Sequence, residues 1–181
     1  YWILNVGDLK PAEIDIDYFL QLAADEPGTA ALTQRQFLTR WLGEQFPAAH
    51  ASSLAAIMDR YYALNFIRKP EFMGFNGYND GINRTEFNPL AWGTSGHRGE
   101  SQTRAAAWSS VSADAVQAGK TMPAAAQAAF FELVGYPVQA AAAMNHKFLS
   151  ADLTYLDAHN HDQKALEADA KNAQDAYANV Q

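Results

Sequence analysis

The alternation of apolar and polar positions predicts one short strand followed by a mostly helical chain. Residues 1–6 are almost wholly apolar and run into Gly7, a pattern typical of a buried parallel strand. A break follows, because Gly7 permits unusual backbone angles and Pro11 favours an extended residue before it. Beyond the break, apolar residues recur at the spacing of amphipathic helices. We therefore predict a mainly α fold, a bundle of about five to seven helices preceded by one strand.

Three features subdivide the helical part. Residues 33–36 have the Thr-x-x-Gln form of a capping box, which predicts a helix start. Pro137 lies inside a later apolar stripe and should kink that helix. Residues 73–99 are rich in glycine and aromatic residues, and a loop of this length is usually functional or disordered. The aromatic residues favour an ordered loop that packs on another surface.

Composition narrows the class of protein. The 181 residues carry 13 Lys+Arg and 20 Asp+Glu, a formal net charge of −7. This charge argues against nucleic acid and anionic membranes as partners. The absence of cysteine excludes disulfides and thiolate chemistry, and no apolar run reaches the roughly 20 residues of a membrane helix. A chain that opens inside an apolar strand is expected to be a piece of something longer.

Carboxylates near the predicted strand are the first candidates for chemistry. Asp8 directly follows the strand, and side chains at this end of parallel strands face the active site in α/β folds and barrels. The alternative, equally weighted, is that Asp8 and Lys10 satisfy loop backbone and pair with each other. Asp15 and Asp17 have a simpler interpretation as charges that complement the start of a helix.

Two further clusters leave alternatives open. The cations of the Arg68-Lys69-Pro70-Glu71 segment suit a helix C-terminus, but they also suit an acidic sugar or a subunit contact. His159 and His161 are the only local pair of histidines. Two positions apart on a helix, they point to different faces, so capping by Asn160 or Asp162 is favoured over a metal site.

Several motifs, taken in order, resemble glycoside hydrolase family 115, the xylan α-glucuronidases. Residues 5–11 with Phe19-Leu20 are similar to the family's last barrel strand and following helix. Trp41 with Phe46, residues 61–65 followed by 68–71, and residues 129–140 are similar to its later helical motifs. The Gly-rich loop from 75 to 99 is the part that matches the family least.

The resemblance implies a domain plan and an activity. Residues 1–30 would be the last strand, loop and helix of a TIM-like barrel, and residues 31–181 a helical bundle domain with the long loop at 73–99. The family removes (4-O-methyl-)glucuronic acid from glucuronoxylan or glucurono-xylooligosaccharides with inversion. Its acid and base would lie on earlier barrel strands, so we expect no catalytic residue in this segment and no activity in isolation.

The same resemblance assigns supporting roles within the chain. Asn5 would contact substrate, while Asp8 and Lys10 would support the loop, and Lys10 would also attract the uronate carboxylate. We expect a homodimer through the helical domain, with cleft or dimer contacts from Arg68, Lys69 and Glu71. No cofactor, metal, nucleic acid or membrane insertion is expected, and the parent protein would be secreted or periplasmic. The rival hypothesis is a stand-alone helical interaction module without catalytic activity.

Overall fold

The predicted mainly α class is confirmed in a computed structural model, which describes residues 3–7, 9–10, 12–70, 73 and 98–179. The predicted loop at 73–99 lies almost entirely outside these residues. None of the helices within the described part is long and apolar enough to cross a membrane. In chain order the α-helices are α1 (Glu13–Ala24), α2 (Glu26–Ala30), α3 (Gln34–Gln45), α4 (Ala48–Ile67), α5 (Arg98–Thr121), α6 (Gln127–Phe130), α7 (Tyr136–His159) and α8 (Gln163–Ala178).

The part of the predicted strand that the structure describes, residues 3–6, does not form a strand. Residues 3–6 have no regular secondary structure, and Ile3 is 92% exposed rather than buried. A parallel strand is defined by hydrogen bonds to a neighbouring strand, and the described residues contain no strand that could pair with it. An apolar run alone does not determine that a strand forms, because the neighbouring strand it must pair with comes from another part of the sequence.

The chain divides into two compact units. The first comprises Tyr1–Tyr62 and Ala113–Val138, and the second comprises Ala63–Ser112 and Gln139–Gln181. Helices α4, α5 and α7 each contribute residues to both units. This division is not the predicted one at residue 30, whose barrel and bundle assignment stays a prediction.

The first unit has an apolar core built on α3 and α4. The capping box is present as predicted: Thr33 Oγ1 accepts a hydrogen bond from the Gln36 N–H at 3.2 Å, and Gln36 Oε1 accepts one from the Thr33 N–H at 2.9 Å. It starts α3 so that one stripe of this helix is buried. Phe46 then meets Phe130 edge-on, with ring centroids 6.4 Å apart. The buried residues of α3 and α4 are Phe37, Leu38, Trp41, Leu42, Ala51, Leu54, Ala55, Ile57 and Met58.

The predicted disturbance at Pro137 takes the form of a π-helical turn. Residues Phe131–Gly135 are π-helical, and α7 begins at Tyr136 with Pro137 in its first turn. Proline lacks the N–H that an uninterrupted helix would require and clashes with the preceding turn. The wider π turn absorbs this mismatch, as such bulges commonly do.

The second unit buries polar side chains together with its apolar ones. Trp108, Val111 and Leu149 form part of its apolar interior, and Arg104 and Asn145 lie beside them at 6% and 0% exposure. Buried polar groups are costly unless they are hydrogen-bonded. The contacts that compensate these two residues also hold the segment that follows α4.

Candidate functional site

The loop that precedes α1 presents Asn5 to solvent. Asn5 is exposed, and its Oδ1 accepts a hydrogen bond from the Gly7 N–H at 3.2 Å. Gly7 has a φ of +62°, a left-handed conformation that glycine adopts without the penalty of a Cβ atom. The Asn5 side chain is therefore exposed, and its amide oxygen holds the turn.

Lys10 is held by a carboxylate from a distant part of the first unit. Its Nζ lies 3.3 Å from Glu132 Oε1, and the two side chains are 66% and 38% exposed. The predicted alternative partner, Asp8, lies outside the described residues. An exposed pair of this kind contributes little to stability, so its main effect is to place the Lys10 cation beside the π turn.

The carboxylates of α1 serve a structural role that the sequence did not indicate. Asp17 Oδ2 accepts hydrogen bonds from Trp41 Nε1 at 2.7 Å and from Gln21 Nε2 at 2.8 Å. The sequence pattern predicted for Asp17 only a charge that complements the helix start. The bond to a buried indole fixes α1 against α3, which the spacing of residues along α1 alone does not reveal.

Asp15 joins α1 to α4 in a similar way. Burial is the largest cause that raises the pKa of Tyr62 well above its usual value. The charge of Asp15 follows, and then Tyr61, a hydrogen bond to Asp15, and Glu13. The phenol therefore stays protonated and serves as a donor to the carboxylate. Both aspartates are thus engaged by aromatic side chains, Asp17 by the buried Trp41 and Asp15 by the half-buried Tyr62.

The predicted cationic cluster follows the end of α4 in the second unit. Arg68 is half-buried and Lys69 is exposed, while Glu71 lies outside the described residues. The backbone here is held by Arg104 of α5. Arg104 Nη1 donates to the Leu64 carbonyl at 3.1 Å, and Nη2 donates to the Arg68 carbonyl at 2.7 Å.

These carbonyls lie at the end of α4, where the last backbone acceptors lose their partners inside the helix. The Leu64 carbonyl still accepts a long bond of 3.4 Å from the Arg68 N–H. A guanidinium suits this place because it offers several donors in a fixed plane and complements the negative end of the helix dipole. Arg104 also donates from Nε to Asn145 Oδ1 at 2.9 Å, and Asn145 Nδ2 donates to the Ala141 carbonyl at 2.8 Å. We call Arg104 and Asn145 the carbonyl clamp.

The sequence prediction did not identify the clamp. One signal was available: Ser101, Arg104, Trp108 and Val111 recur at helical spacing, and all are buried, so a single cation interrupts an otherwise core-facing stripe. Burial and the charge of Arg68 both lower the pKa of Arg104. An arginine remains charged despite such a shift. Arg104 is therefore a buried cation that donates to two backbone carbonyls and to the Asn145 side chain.

The histidine-rich stretch confirms the capping interpretation. Asp162 Oδ1 accepts a hydrogen bond from the Ala165 N–H at 3.1 Å and so caps α8. His161 adopts a φ of +57°, and the His159 ring lies against Tyr155 with centroids 5.0 Å apart. Among the described residues, no group of three His, Asp or Glu side chains is arranged to hold a metal ion.

His146 has a polar neighbour within the second unit. Its Nε2 lies 3.0 Å from Ser109 Oγ. Burial lowers the pKa of the imidazole, which favours the neutral ring at physiological pH. The sequence pattern predicted an ordinary helix residue at His146, and its environment is consistent with that interpretation.

Comparison with known proteins finds one matching family and a similar solved structure. The sequence model described as Glycosyl hydrolase family 115 matches residues 1–72. A solved structure of a family GH115 4-O-methyl-α-glucuronidase with specificity for decorated arabinogalactans is 33% identical, with a TM-score of 0.76. The alignment covers 99% of this chain and 23% of that one, so the chain spans about a quarter of the length of its solved relative. None of the curated proteins matches the sequence.

Proposed function

We propose that this chain, which belongs to glycoside hydrolase family 115 as its motifs predicted, is part of an enzyme that removes (4-O-methyl-)glucuronic acid from a plant polysaccharide. The observation that carries the proposal is 33% identity over 99% of the chain to a 4-O-methyl-α-glucuronidase. The match extends through both compact units, well beyond the 72 residues that the family model covers. The coarser conclusion, glycoside hydrolase function, rests on both comparisons.

Within such an enzyme, we assign this chain a supporting role in the substrate cleft. Inverting hydrolysis needs one carboxylic acid and one carboxylate placed on opposite sides of the scissile bond. In α1, Asp17 is bonded to Trp41 and Asp15 to Tyr62, which makes these two carboxylates poor candidates for that pair. The acid and base are therefore proposed to come from other parts of the enzyme.

Asn5 and Lys10 are the proposed substrate contacts. The exposed Asn5 amide offers a neutral donor, and Lys10 supplies a cation that suits a uronate carboxylate. Arg68 and Lys69 are proposed to line the cleft or a dimer contact, with their backbone fixed by the carbonyl clamp. Asp8 and Glu71, predicted for the same roles, lie outside the described residues.

The polymer that carries the uronic acid has two candidates. Glucuronoxylan and its oligosaccharides follow from the family resemblance, whereas the solved relative has specificity for decorated arabinogalactans. Uronic acid release from each polymer, measured in parallel with the full-length family 115 protein that contains this sequence, would decide between them. Release from neither polymer would contradict the proposal.

Two variants test the role of Asn5 in that full-length protein. We expect Asn5→Ala to lower kcat/KM for uronate release with an almost unchanged melting temperature, since the side chain is exposed. Asn172→Ala, at an exposed position in α8, is the matched control and should alter neither quantity. An equal loss of activity and melting temperature in Asn5→Ala would make Asn5 structural.

The isolated 181-residue chain provides a complementary test. We expect no uronic acid release from it, because the two-carboxylate site is assigned elsewhere. Measurable hydrolysis by the chain alone would overturn this division of labour. Full activity of the parent enzyme after deletion of this segment would instead favour the stand-alone interaction module.

The homodimer and the location of the parent protein are further parts of the proposal. The helical domain is proposed to mediate dimer formation, and its mass in solution, measured by light scattering over a range of concentrations, tests this directly. A monomer at all concentrations would contradict it. Because xylan and arabinogalactan lie outside the cell that degrades them, a secreted or periplasmic location is proposed.

A further inference from the structure

Two exposed aromatic rings lie together at the π turn of the first unit, one on its first residue and one on the residue that follows it. Phe131 is 58% exposed and Tyr136 is 53% exposed. Their ring centroids are 5.9 Å apart, and the ring planes are tilted by 48°. We call Phe131 and Tyr136 the aromatic pair.

The π turn is what brings these two rings together. In a regular α-helix with 3.6 residues per turn, side chains five positions apart point roughly 140° away from each other. Here the Tyr136 N–H donates to the Phe131 carbonyl, the i to i+5 bond of a π-helix. This bond places both residues on one side of the helix, so the pairing of the rings depends on the local backbone. Single π turns of this type are frequently found at functional sites.

The aromatic pair adjoins the loop proposed to contact substrate. Glu132, the residue after Phe131, lies 3.3 Å from Lys10 through its Oε1. Leu9, next to Lys10, is 67% exposed. The aromatic pair is thus one residue along the chain from an ion pair whose carboxylate and ammonium groups are both partly open to solvent.

We infer that the aromatic pair is a stacking platform for neutral pyranose rings of the polysaccharide backbone, a binding site additional to the uronate contacts of Asn5 and Lys10. Each pyranose has an apolar face of C–H groups that fits a flat ring, and hydroxyls at its edge that fit Glu132, Lys10 and the Tyr136 hydroxyl. This chemistry matches the polymers named above, and the inference rests on the proposed function. A backbone platform would hold the polymer while the uronic acid branch enters the catalytic site.

Affinity electrophoresis of the 181-residue chain tests the platform without requiring catalysis. The chain is run through native gels containing arabinogalactan or glucuronoxylan, each with its uronic acid and after its enzymatic removal. We expect retardation by at least one polymer, retained after uronic acid removal because the platform contacts the backbone. The double variant Phe131→Ala/Tyr136→Ala should weaken the apparent affinity by about tenfold, the typical scale for losing aromatic anchors.

Two further variants separate ring stacking from general apolar contact and from nonspecific retardation. Phe131→Leu/Tyr136→Leu keeps the surface apolar but removes the flat rings, so it should bind as weakly as the alanine variant. Tyr177→Ala is the matched control, because Tyr177 is 51% exposed on α8, and it should bind like the wild type. Helicity measured by circular dichroism should be the same for all of these proteins.

Each remaining outcome decides against the platform. Unretarded wild-type chain, or retardation that the double variant leaves unchanged, would show that the aromatic pair does not hold the polymer. Binding retained by the leucine variant, or a concentration-dependent dimer that the alanine variant abolishes, would identify an apolar contact surface for protein. Uronate release by the full-length enzyme is measured separately, so the aromatic platform can be disproved while the proposed function stands.

Discussion

Replacing Arg104 should destabilise the second unit more than replacing any exposed arginine. The side chain is 6% exposed, and it donates to the carbonyls of Leu64 and Arg68 and to the side chain of Asn145. Arg104→Ala removes these donors from two partly buried backbone carbonyls and from the buried Asn145 oxygen. It also removes a cation located 5.8 Å from the centre of the Trp108 ring.

The structure sets the scale of the loss. A hydrogen bond from a charged donor is worth about 1.5–3 kcal/mol, and such contributions are not additive. Leaving a buried neutral acceptor without its donor costs about 1–3 kcal/mol. Because Arg104→Ala deprives three acceptors of a charged donor, we expect it to lower the free energy of unfolding by about 3–5 kcal/mol. Arg104→Lys should recover only part of this, because an ammonium cannot reproduce the planar fork of donors.

Urea unfolding followed by circular dichroism measures the effect through its midpoint and slope. Arg35→Ala is the matched control, since Arg35 Nη2 also donates to a backbone carbonyl, that of Ser52 at 2.9 Å, but from a side chain 41% exposed. Its loss should cost no more than about 1 kcal/mol. If the chain unfolds in two steps, the change in free energy of unfolding is assigned to the step with the lower urea midpoint.

A double-mutant cycle isolates the clamp itself. Asn145→Leu and Arg104→Met, alone and combined, should show a coupling of about 1–3 kcal/mol because the two side chains share a buried bond of 2.9 Å. The reasoning would be refuted if Arg104→Ala shifted the unfolding midpoint no more than Arg35→Ala, or if the coupling were zero. Either result would mean that water or neighbouring donors replace the guanidinium without cost.

Three other substitutions test separate contacts. Gly119→Ala should lower the free energy of unfolding by about 1–3 kcal/mol through overpacking, because its new Cβ would lie 2.9 Å from the Phe130 ring. Gly99→Ala is the control for thermal unfolding: its Cβ meets open space, so it should be neutral or stabilising. Trp41→Phe removes a 2.7 Å bond to an α1 carboxylate and should cost about 1–2 kcal/mol by urea unfolding; no loss would mean that water replaces the indole. Burial lowers the pKa of His146 from 6.5, so the unfolded state binds more protons and the free energy of unfolding should fall as pH drops below about 6.5. His146→Gln should make the free energy of unfolding depend less on pH in this range. An unchanged pH dependence would contradict the assignment to His146.

The parts of the fold that sequence could predict are those set by neighbours along the chain. The capping box at Thr33 and the disturbance at Pro137 both depend on residues within one or two helical turns, and both are present. The strand at residues 1–6 was a different kind of prediction. Strand formation requires a second strand from elsewhere, so the apolar run specifies only a preference.

The contacts of the candidate site were hard to predict for the same reason. Asp17 meets Trp41 across 24 positions of sequence, and Arg104 meets Asn145 across 41. Helical spacing identifies which residues share a face, but it does not state which helix that face meets. Asn5 and Lys10 were identified through motifs of the family, and their functional roles remain predictions.

The hydrogen bonds of the first unit favour a division of labour in the proposed enzyme. A catalytic carboxyl must reach the substrate or the attacking water, and a carboxylate that accepts hydrogen bonds from side chains of neighbouring helices is held away from that task. Asp15 and Asp17 carry such bonds, whereas Asn5 and the aromatic pair face solvent. Neutral donors and flat rings are suited to holding sugars, not to transferring protons. This surface chemistry suits the proposed role of a substrate-holding element. If that role is right, variants of Asn5 and the aromatic pair should raise KM before they lower kcat, wherever the lost contact is equally strong in the ground and transition states.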